Sequence, residues 1–165
     1  MNRAVQIINV IEKNPGIKFR EMMRETGMKN GVLGYYASKL EREGAVKIER
    51  SPGQTRFYPP GISDDDMLLI KNLRQETPRQ ILAALFQQDA MSFGEIVEKT
   101  RKSPATVSFY LSQVTKDNIV DSKFVNFKKK YFVRYTAKLQ NIIDRYHPSL
   151  IESSADSLAD TFSSL

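Results

Sequence analysis

The chain has 165 residues, of which 41% are apolar and 27% are charged, a balance typical of globular rather than disordered proteins. It contains no cysteine, which excludes disulfides, thiolate metal sites and thiol redox chemistry, and it contains one histidine. The net charge is +6, and because the last nineteen residues hold three carboxylates and no Lys or Arg, residues 1–146 carry +9. Such a balance favours a polyanionic partner, since each phosphate contact releases counterions.

The first part of the chain predicts three helices. Asn2–Lys13 has apolar residues at helical spacing, and an Asn-Pro-Gly sequence ends that helix. Phe19–Gly27 predicts a shorter helix that closes at a glycine. Lys29–Gly44 predicts a longer helix, with apolar residues at i, i+4 and i+7 on one face and a second closing glycine.

A β-hairpin follows these helices. Val46 and Ile48 alternate with polar residues, residues 51–54 predict a turn, and residues 55–58 predict the returning strand. Residues 17–19 are a short extended segment that can pair with the hairpin as a third strand. Helix, turn, helix and hairpin together are the layout of a winged helix-turn-helix, in which the second helix enters the DNA major groove.

A boundary is predicted at Pro59-Pro60-Gly61. Ser63 followed by three aspartates is typical of a helix start, and the helix is expected to run to about Gln75. Thr77 is predicted to cap the next helix, with Pro78 at its first position. The expected domains are a winged-helix domain at 1–60, a linker helix at 61–76, a second winged-helix domain at 77–135, and a C-terminal helical tail at 136–165 that is a candidate for dimerisation.

The sequence repeats itself at an offset of 74 residues without a gap. The matched pairs include Phe19 and Phe93, Thr26 and Thr100, Leu33 and Val107, Tyr36 and Tyr110, Ser38 and Ser112, and Arg56 and Lys130. Similarity at one fixed spacing through helix, turn, helix and hairpin predicts two tandem units. The expected fold class is mainly α with small β-hairpin wings, built from two winged helix-turn-helix domains and a C-terminal helix.

The C-terminal part is expected to be helical over residues 136–146, with Leu139, Ile142 and Ile143 on one side. His147 is interpreted as a helix-end residue rather than a catalytic base. Residues 147–165 are acidic and Ser-rich, with a sparser apolar stripe, and either pack on their own chain, pack on a twin subunit or fray.

The segment 103–111, Ser-Pro-Ala-Thr-Val-Ser-Phe-Tyr-Leu, resembles the recognition helix of ArsR/MarR-type winged-helix transcriptional regulators. Those proteins commonly have a small polar cap, Thr-Val-Ser, a variable residue, His and Leu, and then Gly-Leu-Val. This chain has Tyr110 in place of the His and residues 118–120, Asn-Ile-Val, in place of Gly-Leu-Val. Residues 40–46 of the first unit are similar to the same closing pattern. Residues 1–135 resemble archaeal regulators built from two such units, which implies DNA binding but not which genes are regulated.

DNA contacts are expected from the second helix of each unit, about 30–43 and 104–117, and from basic wings at about 50–56 and 123–130. In the first unit the expected DNA-binding residues are Lys18, Arg20, Lys29, Asn30, Gly34, Tyr35, Ser38, Lys39, Arg50, Gln54 and Arg56. In the second they are Arg101, Lys102, Ser103, Thr106, Ser108, Phe109, Gln113, Lys123, Lys128, Lys129 and Lys130. The alternative for these faces is an ordinary solvated surface, although a solvated helix usually carries more Glu, Lys and Gln.

Two groups of residues in the first unit have competing interpretations. Gly31 and Gly34 each cost a helix roughly 1 kcal/mol relative to Ala, and either allow DNA to approach the backbone or are a tolerated weakness. Met22, Met23 and Met28 are interpreted as flexible core filling rather than as a binding surface.

The leading hypothesis is a sequence-specific regulator of transcription that binds double-stranded DNA, forms a homodimer, and is cytoplasmic and nucleoid-associated. No apolar run is long enough to span a membrane, no signal-peptide pattern is present, and no cofactor is implied. Neither a Ser/His/Asp set, a metal cluster nor a phosphate-cradling glycine loop appears, so an enzyme is not expected. Two alternatives remain, a protein-interaction adaptor of the transcription machinery and a non-specific chromatin protein. An effector ligand is left open.

Overall fold

A computed structural model describes residues 2–146 of the chain. They form two units, one that ends at Met67 and one that begins at Leu68. Each unit contains a helix-turn-helix and a three-stranded antiparallel sheet, so the fold is mainly helical with small wings, as predicted. The finer division at residues 60, 76 and 135 stays a prediction.

The first unit begins with α1, which is capped by the side chain of Asn2. Its elements are α1 (Arg3–Lys13), β1 (Ile17–Lys18), α2 (Phe19–Thr26), α3 (Asn30–Arg42), β2 (Lys47–Ser51) and β3 (Gln54–Tyr58). The sheet has the order β1-β3-β2, and Ile17 and Ile48 both pair with Phe57. The short segment at 17–18 is therefore the third strand of the wing sheet, as predicted.

Glycines end both helices of the first helix-turn-helix. Gly27 follows α2 with a φ of 71°, and Gly44 follows α3 with a φ of 73°, a left-handed conformation that glycine adopts without steric cost. The core beneath these helices consists of buried apolar side chains from α1, α2, α3, β1 and β3, and the partly buried Ile48 of β2 packs against it. Met22 and Met28 belong to it and Met23 packs against it, which confirms that these methionines fill the core.

The helix α4 (Asp64–Leu73) joins the two units. The Ser63 hydroxyl accepts a hydrogen bond from the Asp66 backbone N–H at 3.1 Å, which confirms the predicted cap. The helix ends at Leu73, two residues before the expected end near Gln75.

The second unit repeats the six elements of the first in the same order and adds one helix at its end. Its elements are α5 (Glu76–Gln87), β4 (Met91–Ser92), α6 (Phe93–Thr100), α7 (Pro104–Lys116), β5 (Val120–Val125), β6 (Lys128–Val133) and α8 (Thr136–Tyr146). Both ends of α6 and α7 lie 74 residues after those of α2 and α3, and the sheet order β4-β6-β5 matches that of the first unit.

The predicted start of α5 was wrong. The helix begins at Glu76 with Gln75 at the cap position, while Thr77 lies inside the first turn and is buried. A proline is tolerated throughout a first turn because those N–H groups have no partner within the helix, so Pro78 did not mark the first position.

The last described helix, α8, buries Leu139, Ile142 and Ile143, as predicted. His147, the acidic tail and its apolar stripe lie outside the described residues.

The start of α6 contains a titratable capping box. The Ser92 backbone N–H donates to Glu95 Oε1 at 3.1 Å, and the Glu95 N–H donates to the Ser92 hydroxyl at 3.2 Å. The backbone hydrogen bond from Ser92 is the main reason that the pKa of Glu95 lies below its ordinary value of 4.5. A lowered carboxyl pKa stabilises the fold fully above the unfolded value and loses that contribution as pH falls through the folded value.

We therefore expect the melting temperature of the second unit to fall as the pH drops below 4.5. Glu95→Gln is the control, because a glutamine keeps the capping box without a titratable group. Thermal unfolding across this pH range measures the effect. Equal pH dependence of the two proteins would show that Glu95 does not contribute.

Candidate nucleic-acid interface

The helix α3 has one buried and one exposed side. Leu33, Ala37 and Leu40 are buried in the core of the first unit. Opposite them lies a line of residues that we call the α3 stripe. It consists of Gly31, Gly34, Tyr35, Ser38 and Arg42. All are exposed except Gly34, which is half-buried. The side chains of Tyr35, Ser38 and Arg42 extend from the helix surface. Asn30 and Lys39 flank the stripe and are exposed, and exposed Lys29 is the cap residue of α3.

The helix α7 presents the same pattern. Val107, Leu111 and Val114 are buried, and the exposed α7 stripe lies opposite them. It consists of Ala105, Ser108, Phe109, Ser112 and Lys116. Each stripe therefore has two small residues, an aromatic residue, a serine and a basic residue at the same spacing.

The start of α7 is rigidly built. The Ser103 hydroxyl accepts from the Thr106 N–H at 3.2 Å and donates to Thr106 Oγ1 at 2.8 Å, while Pro104 fixes the first turn. These bonds use Ser103 and Thr106 within the helix, and leave Ser108 and Phe109 as the side chains that face outward on the next turn.

The aromatic residue of each stripe is held by its neighbour. The rings of Tyr35 and Tyr36 meet edge to face with centroids 5.2 Å apart, and those of Phe109 and Tyr110 do so at 5.0 Å. Tyr35 and Phe109 nevertheless remain 61% and 66% exposed. The same exposed ring is thus oriented in the same way in both units.

The two glycines of α3 have no role in packing within the described part of the chain. A methyl group built on Gly31 or Gly34 would meet nothing within 4 Å beyond the local helix backbone. Each glycine weakens a helix by roughly 1 kcal/mol relative to alanine, so contact with a binding partner is a better explanation for these glycines than packing within the chain.

The turns between the paired helices differ at one position. Gly27 follows α2, and its counterpart after α6 is Arg101, which has a left-handed φ of 59° and an exposed side chain. The adjacent Lys102 is half-buried, and its Nζ lies 2.8 Å from Glu76 Oε1. In the first unit Arg20 is exposed on α2 and Lys18 is half-buried on β1.

The first wing exposes Arg50 and Gln54. Arg50 donates two hydrogen bonds to the Glu41 carboxylate, each 2.9 Å long, which connects the wing to the end of α3. These hydrogen bonds are the main reason that the pKa of Glu41 is lowered and the pKa of Arg50 is raised. Arg50 is therefore held in place while 58% of its side chain remains exposed.

The second wing is more basic than the first. Lys123, Lys128 and Lys129 are exposed, and Lys130 is half-buried with its Nζ 3.9 Å from Glu95 Oε1. Lys123 and Lys129 lie over the rings of Phe132 and Tyr131, at 5.2 and 5.5 Å from the ring centroids. The ammonium groups are thus spread along both faces of the hairpin.

An open groove of about 400 Å³ lies between α7 and the second wing. Ser108, Ser112 and Lys116 line it from the α7 stripe, and Ser122 and Lys129 line it from the wing. Hydroxyl groups with two ammonium groups suit the phosphate oxygens of a nucleic-acid backbone.

Two predicted contact residues require correction. Arg56 is 1% exposed, and its Nη1 donates a hydrogen bond to the Gly16 carbonyl at 2.8 Å. Gln113 is half-buried, and its Nε2 donates to Asn72 Oδ1 at 2.8 Å and to Gln75 Oε1 at 3.3 Å. Both side chains therefore hold the fold together and do not face a partner.

Several exposed residues were not predicted. Ser112 pairs in the repeat with Ser38, a predicted contact, so the repeat was the signal for it. Arg42 and Lys116 pair with each other, and neither was predicted. Ala105 pairs with Gly31, for which two interpretations were left open. Phe124 and Phe127 on the second wing are 77% and 101% exposed, and were missed because wings are expected to be polar.

Within residues 2–146, no group of three or more His, Cys, Asp or Glu residues could hold a metal ion. No helix in this part of the chain is long and apolar enough to cross a membrane.

Comparison with known families agrees with the fold. Residues 2–67 match the family model of an N-terminal HTH domain, and residues 75–122 match that of the bacterial regulatory proteins of the arsR family. Two helix-turn-helix domains therefore lie in tandem in this chain, and the second matches the model of the arsR family.

A relative from Methanocaldococcus jannaschii is described as an uncharacterized HTH-type transcriptional regulator, and is 24% identical over 128 residues. The match covers 78% of this chain and 32% of the relative, so the chain spans about a third of that protein's length.

Two solved structures resemble one part of the chain. HlyU from Vibrio cholerae has 21% identity and a TM-score of 0.43, with 50% of this chain and 92% of HlyU covered. A homodimeric winged helix-turn-helix DNA-binding domain from Mycobacterium bovis has 22% identity and a TM-score of 0.40, with 51% of this chain and 89% of that domain covered.

Proposed function

We propose that the chain is a sequence-specific transcriptional regulator that binds double-stranded DNA through both winged-helix units. In each unit the second helix, α3 or α7, enters a major groove with its stripe against the base edges. The observation that carries this proposal is the same exposed pattern of small, aromatic, serine and basic residues on both helices. Function lies in binding rather than in catalysis.

The small residues of each stripe permit a close approach of the helix to the base pairs. Gly31 and Gly34 have open space around them, and Ala105 and Ser108 are the equivalent small residues of α7. A solvated surface would gain from longer, better helix-forming side chains at these positions, so their small size supports contact with a partner.

The aromatic and hydroxyl groups provide the chemistry for sequence recognition. Tyr35 and Phe109 offer apolar edges to thymine methyl groups, and Ser38 and Ser112 form hydrogen bonds with base edges. Basic residues at the ends of the stripes, in the turns and on the wings contact the flanking phosphates. We include Arg101, Lys123, Lys128 and Lys129 among them.

The assembly and location are also part of the proposal. A homodimer would present its recognition helices about a two-fold axis and would read a palindromic site. We place this assembly in the cytoplasm, on the nucleoid.

Fluorescence anisotropy tests the proposal with a duplex obtained by selection and a scrambled duplex, each at two salt concentrations. We expect a steep salt dependence and a preference of about a thousandfold for the selected duplex. A steep salt dependence without preference would contradict sequence-specific binding and favour a chromatin protein. Failure to bind either duplex would favour an adaptor of the transcription machinery.

Arg101→Gly is expected to strengthen the fold and weaken DNA binding at once. Glycine removes the cost of a left-handed residue, about 1 kcal/mol, and so raises the free energy of unfolding. Loss of one phosphate contact lowers the slope of log affinity against log salt by about 0.9. Denaturant unfolding and salt titrations measure the two effects.

Arg101→Lys is the control for this substitution, because it keeps both the charge and the strained backbone. A glycine variant with an unchanged salt slope would show that Arg101 does not contact phosphate.

A further inference from the structure

The second wing ends in a turn that its sequence does not suit. Val125 pairs with Lys128, so Asn126 and Phe127 alone connect β5 to β6. Their φ angles are 52° and 66°, the double left-handed geometry of a type I′ turn. That turn favours Asn followed by Gly, whereas a bulky aromatic residue at positive φ is a genuine outlier.

The first wing provides the comparison within the same chain. Gly53 lies 74 residues before Phe127 and has a φ of 76°. Both turns therefore have a positive φ at this position, and only the first wing has glycine there. Strain of this kind at an exposed site points to a function for the side chain.

The ring of Phe127 is fully exposed, at 101% of its reference area. Its surroundings are strongly basic, since residues 122–134 contain four lysines, one arginine and no carboxylate. An apolar tip surrounded by positive charge suits a polyanion with an apolar interior, which describes a DNA duplex with its stacked bases.

We propose that Phe127 is a wedge that enters the minor groove beside the α7 site and partly unstacks one base step. This inference rests on the proposed function, because the wing reaches the minor groove only when α7 occupies the adjacent major groove. Apolar wedges of this kind kink the duplex toward the major groove, and the bend allows more of the protein surface to touch DNA. Lys128 and Lys129 would then contact the phosphates that flank the kinked step.

Three variants test the wedge. Phe127→Gly gives the wing the residue of the first wing, Phe127→Leu keeps an apolar wedge, and Lys128→Gln gives the wing the residue that the first wing has at Gln54. Duplexes that carry 2-aminopurine report unstacking through fluorescence, donor and acceptor dyes at the ends report bending, and anisotropy of the same samples reports binding.

We expect wild-type protein to raise 2-aminopurine fluorescence at one step and to shorten the end-to-end distance of the duplex. Phe127→Gly should lose both signals and about tenfold in affinity, while its melting temperature rises by about 4 °C because the strain is removed. Phe127→Leu should keep most of the bend. Lys128→Gln should reduce the salt slope and keep the 2-aminopurine signal.

Equal bending and unstacking by wild-type protein and Phe127→Gly would overturn the wedge and leave the proposed function intact. Failure of wild-type protein to bind any duplex would overturn both. Binding to anionic lipid vesicles that requires Phe127, without effect on DNA bending, would assign the ring to a membrane surface instead.

Discussion

Replacement of Gly34 and Ser108 by glutamate in one protein is expected to lower DNA affinity by at least about a hundredfold. Each glutamate would place a negative charge in the middle of a stripe, where the proposed complex has base edges and phosphates. The fold should tolerate both changes, because Gly34 has open space around it and Ser108 is exposed. Glutamate is also a better helix former than glycine, so α3 should gain stability.

Anisotropy measures the affinity of this variant, and thermal unfolding shows that both units remain folded. Gln87→Glu on α5 is the matched control, since it adds a negative charge at an exposed position outside both stripes. Unchanged affinity in the double variant would show that neither stripe faces DNA.

Arg56→Ala is expected to destabilise the first unit by about 3 kcal/mol, the largest effect on stability that we predict for one polar side chain. Its guanidinium donates to the Gly16 carbonyl from a buried position, and its alkyl stem lies in the interior. Removal leaves that carbonyl without the charged donor and leaves a cavity under the sheet. The salt dependence of DNA binding should not change for the molecules that remain folded.

Denaturant unfolding with a probe in the first unit measures this loss. Gln54→Ala, on the same strand but exposed, should change the free energy of unfolding by less than about 0.5 kcal/mol. If Arg56→Ala reduced the salt slope and left stability unchanged, the arginine would be a phosphate contact after all.

The repeat of 74 residues made most of the fold predictable. Periodic burial at Leu33, Ala37 and Leu40 defines α3, and the same spacing at Val107, Leu111 and Val114 defines α7. Local signals such as the Ser63 cap and the closing glycines then located the helix ends. These features depend on neighbours in the sequence, which is why the sequence alone reveals them.

The features that escaped prediction depend on distant parts of the chain. Arg56 is buried and donates a hydrogen bond to a residue 40 positions away, although an arginine in a wing strand is usually exposed. Gln113 bonds to residues 38 and 41 positions away on and beside α4. Spacing along one helix or strand carries no information about such partners.

The exposed aromatic residues of the second wing, Phe124 and Phe127, were missed for a different reason. A loop is expected to be polar, so the basic pattern of this wing did not predict an exposed ring at Phe127. The signal was nevertheless present, because the repeat aligns Phe127 with Gly53 at a turn. A large residue at a position where the other repeat has glycine is a pattern that the sequence alone can reveal.

The measurement that tests the central claim most directly is selection of DNA from a random duplex library by wild-type protein, Gly34→Glu and Ser108→Glu in parallel. If both units read DNA, wild-type protein selects a motif with two parts, and each variant loses one part and keeps the other. The same motif from all three proteins, or no motif from wild-type protein, would contradict the proposal that α3 and α7 both recognise sequence.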